Sequence, residues 1–352
     1  MNRFRLPNHL VVEEGIFNDI PGCMRDVFPK LKRSKTIIVT EESLAGLFKD
    51  ILDEIKRDFP ASEIYLIKTS DYDSAVKLAK YIAMNEIKLV IGFGGGTVLD
   101  LAKFAAFVSK SQLISLPTTL SNDSLASPVA VLGTEGKARK SFRCTIPDAI
   151  IVDVSVVKNA PDRQLLAGIG DTLSKYTALY DWKLAGRKNG DTVDDFACMI
   201  SHMALESIMN NERKDLKEPD FIRRLTDALV MGGLAMEIAG CSRPSSGSEH
   251  LFCHALEEEH SEQVSVPHGI ATAMGSYAAC IFQGRDTGKI EKIIKQYELP
   301  VKPSANGVTE EIFVRAWQEA AATRPDRYTV LNETDLSDGR LREIYRKMEE
   351  VF

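Results

Sequence analysis

Residues 88–103 read Lys88-Leu-Val-Ile-Gly92-Phe-Gly94-Gly95-Gly96-Thr97-Val-Leu-Asp100-Leu-Ala-Lys103. A short apolar run ends in three consecutive glycines and passes straight into a helical pattern, so the stretch reads as strand, tight turn, helix. The strand shows no polar alternation, so both of its faces are expected to be buried, as in a parallel sheet. A plain strand-to-helix turn needs one glycine or two. Three, at Gly94, Gly95 and Gly96, let backbone N–H groups approach an anion closely, at the positive end of the following helix. A pyrophosphate suits that place. The spacing is not GxGxxG, so the turn departs from the ordinary dinucleotide fingerprint.

The same rhythm extends on both sides. Strands are predicted at 36–40, 63–68, 113–116 and 149–153, and helices at 42–59, 74–85 and 98–109. Residues 129–144 read as a hairpin turning at 133–136. Strand–helix alternation of this kind predicts an α/β N-terminal domain with a parallel, Rossmann-like sheet, whose ligands bind at the C-terminal ends of the strands. Two further loops fall at that edge. Glu41 and Glu42 follow the first strand, where an acid can take an adenosine ribose hydroxyl and favour NAD over NADP, or can simply face a helix dipole. Residues 116–128 are dense in hydroxyls and carry Asp123; this is ordinary loop chemistry, but its position favours ligand contact.

From about residue 156 the pattern turns helical, with segments at 172–184, 192–210, 221–239, 248–258, 268–282, 309–322 and 341–352. A chain of 352 residues exceeds what one core serves, so the reading is two domains, 1–155 and 156–352. Asp171 lies where the first of these helices is expected to open, as a cap or as a site carboxylate. Four of the six histidines fall within 250–268. His250 and His254 share one helix face, and His268 begins the next helix. Imidazoles converging from two helices, with an oxygen ligand, suit a divalent transition metal; buried, hydrogen-bonded histidines are the alternative of equal weight.

Composition narrows the class. Apolar residues make up 44% and charged residues 27%, and the net charge of −6 disfavours nucleic acid or anionic membrane as a partner. Six scattered cysteines without a CxxC pair fit reduced thiols in a cytoplasm. No leader-like apolar region opens the sequence and no apolar run reaches about 18 residues, so a soluble, cytoplasmic protein is expected.

Taken together, the turn Gly94-Gly-Gly-Thr97-x-x-Asp100-x-x-Lys103, the loop Pro117-Thr118-Thr119 with Asp123, Gly168-x-Gly170-Asp171, and His250 followed by His268-Gly269 form a signature. It resembles the superfamily of glycerol dehydrogenase, the iron-type alcohol dehydrogenases and dehydroquinate synthase. Residues 126–128, 170–182, 242–252 and 324–331 are similar to the sn-glycerol-1-phosphate dehydrogenase family within it, and the likeness runs from about 35 to 335. The resemblance implies a dehydroquinate synthase-like fold with an all-helical second domain. It implies metal-dependent, reversible hydride transfer between dihydroxyacetone phosphate and sn-glycerol 1-phosphate. It also implies a divalent metal on Asp171, His250 and His268, zinc before iron or nickel. NAD or NADP would lie on Gly95, Gly96, Thr97, Asp100, Thr118, Thr119, Ser121 and Ser127. Asp123 and His254 would contact a small phosphorylated substrate, in a homo-oligomer of two or more chains.

One departure stands out. The family's second histidine opens His-Gly-Glu-Gln-Val-Gly, whereas here that motif is split between His260-Ser-Glu-Gln-Val-Ser265 and Pro267-His268-Gly269. His268 is preferred because it keeps His-Gly and lies eighteen residues after His250, leaving room for a helix, a loop and a new helix. His260 is the alternative. Lys175 and Arg243 are the candidate phosphate cations, unless they are structural ion pairs. The competing activities are a dehydrogenase of an unphosphorylated polyol such as glycerol, and a dehydroquinate synthase-like lyase that uses NAD transiently.

Overall fold

Burial on both faces is what makes the central strands uniformly apolar. The computed structural model describes residues 4–27, 34–134, 139–211 and 215–352. Its strands are β1 His9–Glu13, β2 Thr36–Thr40, β3 Ser62–Leu66, β4 Leu89–Gly94, β5 Gln112–Pro117, β6 Val129–Gly133, β7 Arg139–Arg143 and β8 Ala149–Asp153. Six form a parallel sheet in the order β1-β8-β5-β4-β2-β3, and β6 and β7 pair as an antiparallel hairpin. Every residue of β2, β4 and β8 is buried. The strand order reverses between β2 and β4, which opens a crevice above their C-terminal ends.

The edge strand β1 was not expected from the sequence, because it is short, only half-buried and paired on one side. Its seat is partly electrostatic: the Asp153 carboxylate at the end of β8 accepts from Gly15 N at 3.0 Å and Phe17 N at 2.8 Å. The single helix expected at 42–59 is two, Glu42–Leu47 and Lys49–Asp58, broken at Phe48, whose ring packs on Phe93 at 5.2 Å. Of the turn expected at 133–136, Glu135 and Gly136 lie outside the described residues.

Beyond β8 the described residues form helices and 3-10 turns only. The helices that build the site are Asp162–Leu173, Lys175–Lys188, Pro219–Ala239, Ser248–Glu259, His268–Phe282 and Glu310–Ala320. The first of them starts at Asp162, ten residues before the expected position, so Asp171 belongs to its last turn. The reading of Asp171 as an N-terminal cap is thereby corrected. A carboxylate near a helix C-terminus opposes the dipole, so its place there needs another reason. Behind the Ser248–Glu259 helix, Phe252 stacks on Trp317 at 4.6 Å, and Phe282 meets the same indole edge-on at 4.9 Å. This packing fixes the helix that carries His250 and His254.

Candidate functional site

Glycines set the approach of the elements. A Cβ on Gly170 would overlap the carbonyl of Gly269, one on Gly269 would overlap that of Ala167, and one on Gly168 would overlap that of Leu120. The Asp162–Leu173 helix therefore touches the His268–Phe282 helix and the loop after β5 backbone to backbone. Gly275 does the same against Glu249, where a Cβ would lie 2.7 Å from the carbonyl oxygen. These contacts draw Asp171, His250 and His268 together.

Asp171 Oδ1 lies 3.7 Å from His250 Nε2 and 4.0 Å from His268 Nε2. All three potential ligand atoms fall within 4.8 Å of one another. Donors around a tetrahedral ion at about 2.1 Å stand ~3.4 Å apart, so a small contraction closes this set. The far side of each imidazole is held by a carboxylate. His250 Nδ1 pairs with Glu249 Oε1 at 2.9 Å, and His268 Nδ1 with Glu257 Oε1 at 3.0 Å. That arrangement keeps a proton on Nδ1 and the Nε2 lone pair toward Asp171, the usual support for metal-binding histidine. The donor set fits a divalent ion.

The electrostatics agree. Burial works against the charged form of both histidines, but Asp171 and Glu249 raise the pKa of His250, and Cys253 and Glu257 raise that of His268 well above its usual value. Asp171 is pulled down to about 2 against its own burial by His250 and Lys175. The cluster demands positive charge at its centre. Asp123 is pushed up to about 6, by burial and then by the neighbouring Asp171. Burial takes His254 down to about 3, so this ring is neutral. Its centroid is 6.3 Å from that of His250 and 6.2 Å from that of His268, beside the cluster rather than in it.

One cavity of about 640 Å³ joins these groups to the crevice over β2 and β4. Its wall includes Glu41, Gly95, Gly96, Thr97, Asp100, Thr118, Thr119, Ser121, Asp123, Ser127, Asp171, His250, His254 and His268. Gly94 is the last residue of β4 and does not line the cavity. No glycine of the turn has a positive φ. Contact is what crowds larger residues: a Cβ on Gly96 would lie 3.0 Å from Ser124 Oγ, which would have to give way, and one on Gly94 would lie 2.6 Å from Val98. Asp100 and Ser127 have their side chains engaged. Lys103 Nζ donates to Asp100 Oδ1 at 3.1 Å, Ser127 Oγ at 3.3 Å and Val129 O at 2.6 Å, tying the hairpin to the glycine-turn helix.

His260 is elsewhere. It ends its helix and pairs with Glu319 at 2.9 Å, whereas His268 joins Asp171 and His250. Neither expected phosphate cation lines the cavity. Lys175 is fully buried, with Nζ donating to the Asp171 carbonyl at 3.3 Å, and Arg243 is held by Asp191 at 3.0 Å and by the Tyr328 carbonyl at 2.8 Å. Arg139, Arg163, Arg324 and Arg327 line it instead. Sequence reading missed Glu249 and Glu257 as supporting groups. Glu249 adjoins His250, and Glu257 lies three residues after His254, but nothing local marks which glutamate turns inward.

Comparison with known proteins gives this architecture its class. A sequence profile of the iron-containing alcohol dehydrogenases matches residues 12–161. The crystal structure of a probable glycerol dehydrogenase from Sinorhizobium meliloti superposes with a TM-score of 0.75 at 20% identity, covering 99% of this chain and 98% of that one. Glycerol dehydrogenase from Schizosaccharomyces pombe gives 0.75 at 17% identity, over 100% and 91% of the two chains. The fold is thus that of the iron-type alcohol and glycerol dehydrogenases. Full-length relatives go further. Glycerol-1-phosphate dehydrogenase [NAD(P)+] of Sulfolobus acidocaldarius is 33% identical over 94% of this chain and 93% of its own. The enzyme of the same name from Thermococcus kodakarensis is 31% identical over 99% and 97%. The chain belongs to the glycerol-1-phosphate dehydrogenase family.

Proposed function

We propose that this chain is an NAD(P)-linked alcohol oxidoreductase that interconverts dihydroxyacetone phosphate and sn-glycerol 1-phosphate, exchanging hydride between C2 of the three-carbon unit and the nicotinamide. The observation that carries the reading is the convergence of Asp171, His250 and His268 in the cavity whose other end is the glycine turn. Those three residues are the ligands for a divalent metal, zinc in the first instance. A metal held there supplies Lewis acidity to the C2 oxygen and lowers the pKa of the alcohol.

The chain's own groups do the rest. Gly95, Gly96 and Thr97 offer backbone N–H groups at a helix N-terminus to the cofactor pyrophosphate. Thr118, Thr119 and Ser121 hydroxyls face the same guest, and Glu41, which makes no side-chain cap bond to its helix, is free to meet the adenosine ribose. Glu249 and Glu257 orient the two metal-binding rings. His254, being neutral, orients the substrate through a hydrogen bond. His254 or a bound water relays the proton, and Asp123, half-buried beside Asp171, contacts the substrate. Residues 1–155 bind the nucleotide and 156–352 the metal and substrate, in a cytoplasmic assembly of two or more chains. The described residues contain no helix long and apolar enough to cross a membrane.

The test is NADH and NADPH oxidation with dihydroxyacetone phosphate, beside dihydroxyacetone, on metal-stripped protein with and without zinc. Zinc-dependent turnover confined to the phosphorylated ketone is expected. Turnover of dihydroxyacetone at a similar rate would move the chain to polyol oxidation, and silence with both, despite bound zinc and nucleotide, would refute the reading.

A further inference from the structure

The cavity has a cationic corner with a charge left over. Arg327 is half-buried in the wall, and its guanidinium meets only neutral oxygens. Nη1 donates to Ser246 Oγ at 2.6 Å and to the Ser246 carbonyl at 3.0 Å, and Nη2 donates to Ser242 Oγ at 2.7 Å. Among the described residues no carboxylate pairs with it within 4.0 Å. Arg324 stands beside it, giving Nη1 to Glu258 at 3.1 Å and leaving Nη2 buried with no partner. Burial, and then the charges of Arg243 and Arg324, pull Arg327 down to about 10. Arg243 and Arg324 each have a carboxylate, Asp191 and Glu258, so the net surplus is the charge of Arg327. A guanidinium crowded by like charges in a desolvated wall is costly unless an anion completes it. Arg139 and Arg163 also line the cavity; Arg163 is solvent-exposed, and Arg139, half-buried like Arg327, belongs to β7 in the hairpin tied to the glycine-turn helix.

The corner is next to the chemistry. Arg324 is close enough for its charge to lower the pKa of His254, and Arg327 feels Glu249, the carboxylate that holds His250. We propose that Arg327, assisted by Arg324 and by the hydroxyls of Ser242 and Ser246, forms the subsite that receives the phosphate of the substrate. The inference rests on the function proposed above and deepens it. A planar guanidinium fork matches phosphate oxygens two at a time, which a lysine cannot reproduce. The hydroxyls that Arg327 now contacts can turn and donate to the same oxygens. The bound phosphate fixes the far end of a three-carbon chain whose C2 oxygen then faces Asp171, His250 and His268.

The test uses zinc-loaded Arg327→Ala and Arg327→Lys beside the parent protein. Steady-state rates with dihydroxyacetone phosphate and with dihydroxyacetone give the preference for the phosphorylated ketone. Charged hydrogen bonds of this kind predict that Arg327→Ala loses about 10–100-fold of that preference, mainly through KM, with Arg327→Lys intermediate. Inorganic phosphate should compete with the phosphorylated ketone in the parent and lose that ability in Arg327→Ala. Equal losses for both ketones, unchanged preference, or a change confined to KM for NADH or NADPH would overturn the assignment. Calorimetric titration with inorganic phosphate separates the two levels. If the parent fails to reduce dihydroxyacetone phosphate, the proposed function falls. Phosphate binding that is absent from the parent, or unchanged in Arg327→Ala, overturns the subsite independently.

Discussion

Gly275→Ala adds one methyl group where the His268–Phe282 helix rests on Glu249. The new Cβ would stand 2.7 Å from the Glu249 carbonyl oxygen and 3.0 Å from its Cα, against the 3.4 Å or more of ordinary contact. Both opposing atoms are backbone, so no rotamer change relieves the overlap, and the Ser248–Glu259 helix must retreat by the difference, about 0.7 Å. Overpacking of this size costs roughly 1–3 kcal/mol of stability. The retreat carries Glu249, and with it the hydrogen bond that sets His250 Nδ1. It exceeds the ~0.5 Å within which a metal constellation must be held. A weakening of zinc binding of about 10–100-fold is therefore expected, the size seen when supporting groups of a metal site are disturbed. Gly46→Ala supplies the control, because that glycine lies in an exposed helix with nothing within 4 Å of its Cβ position. It should gain roughly 0.5–1 kcal/mol and leave the metal alone. Urea unfolding of the zinc-free proteins and chelator competition for zinc read the two quantities separately. Parent-like stability and zinc affinity in Gly275→Ala would refute the claim that glycine contacts set the distance between the ligands.

Three residues away from the ligand set itself allow further checks. Glu257→Gln removes the charged partner of His268 Nδ1, so chelator competition should show zinc held about 10–100-fold more weakly, while Glu319→Gln, beside His260, leaves it unchanged. Asp181 is buried and accepts from Ser248 N at 2.7 Å and Val330 N at 3.0 Å; burial, then Glu249, push it up to about 6. Its ionised form is the costly one in the fold. It therefore detracts from stability above pH 6, and the penalty fades as pH falls through 6 toward the unfolded value near 4, a swing of at most about 3 kcal/mol. Urea unfolding between pH 7 and 5 should show that slope in the parent and not in Asp181→Asn; parallel curves would count against it.

Sheet and helices were legible where burial leaves a periodic mark. The strands at 36–40 and 149–153 coincide with β2 and β8, and the helix at 268–282 with His268–Phe282. Elements on which other forces act were harder to read. β1 is a half-buried edge strand seated in part by Asp153, far away in sequence. The early turns of the Asp162–Leu173 helix were hidden by Gly168 and Gly170, which weaken helix propensity but are required by backbone-to-backbone contact. The shared helix face of His250 and His254 could be read from their spacing of four, whereas His268, on the next helix, was picked out by the family's His-Gly motif. Their carboxylate partners could not, because Glu257, Glu258 and Glu259 are alike in sequence and only the packing turns Glu257 toward His268. The phosphate cations failed for a related reason. A lone Lys175 or Arg243 says nothing of the carboxylate or carbonyl waiting for it, and only the fold shows that Arg327 bonds to hydroxyls and a carbonyl with no carboxylate beside it.

Zinc content and turnover of His268→Ala beside His260→Ala test the account most directly. The predicted result is that His268→Ala loses both stoichiometric zinc and reduction of dihydroxyacetone phosphate, while His260→Ala keeps both after allowance for any lost stability. Zinc retained in His268→Ala, or lost selectively from His260→Ala, would contradict the Asp171–His250–His268 site.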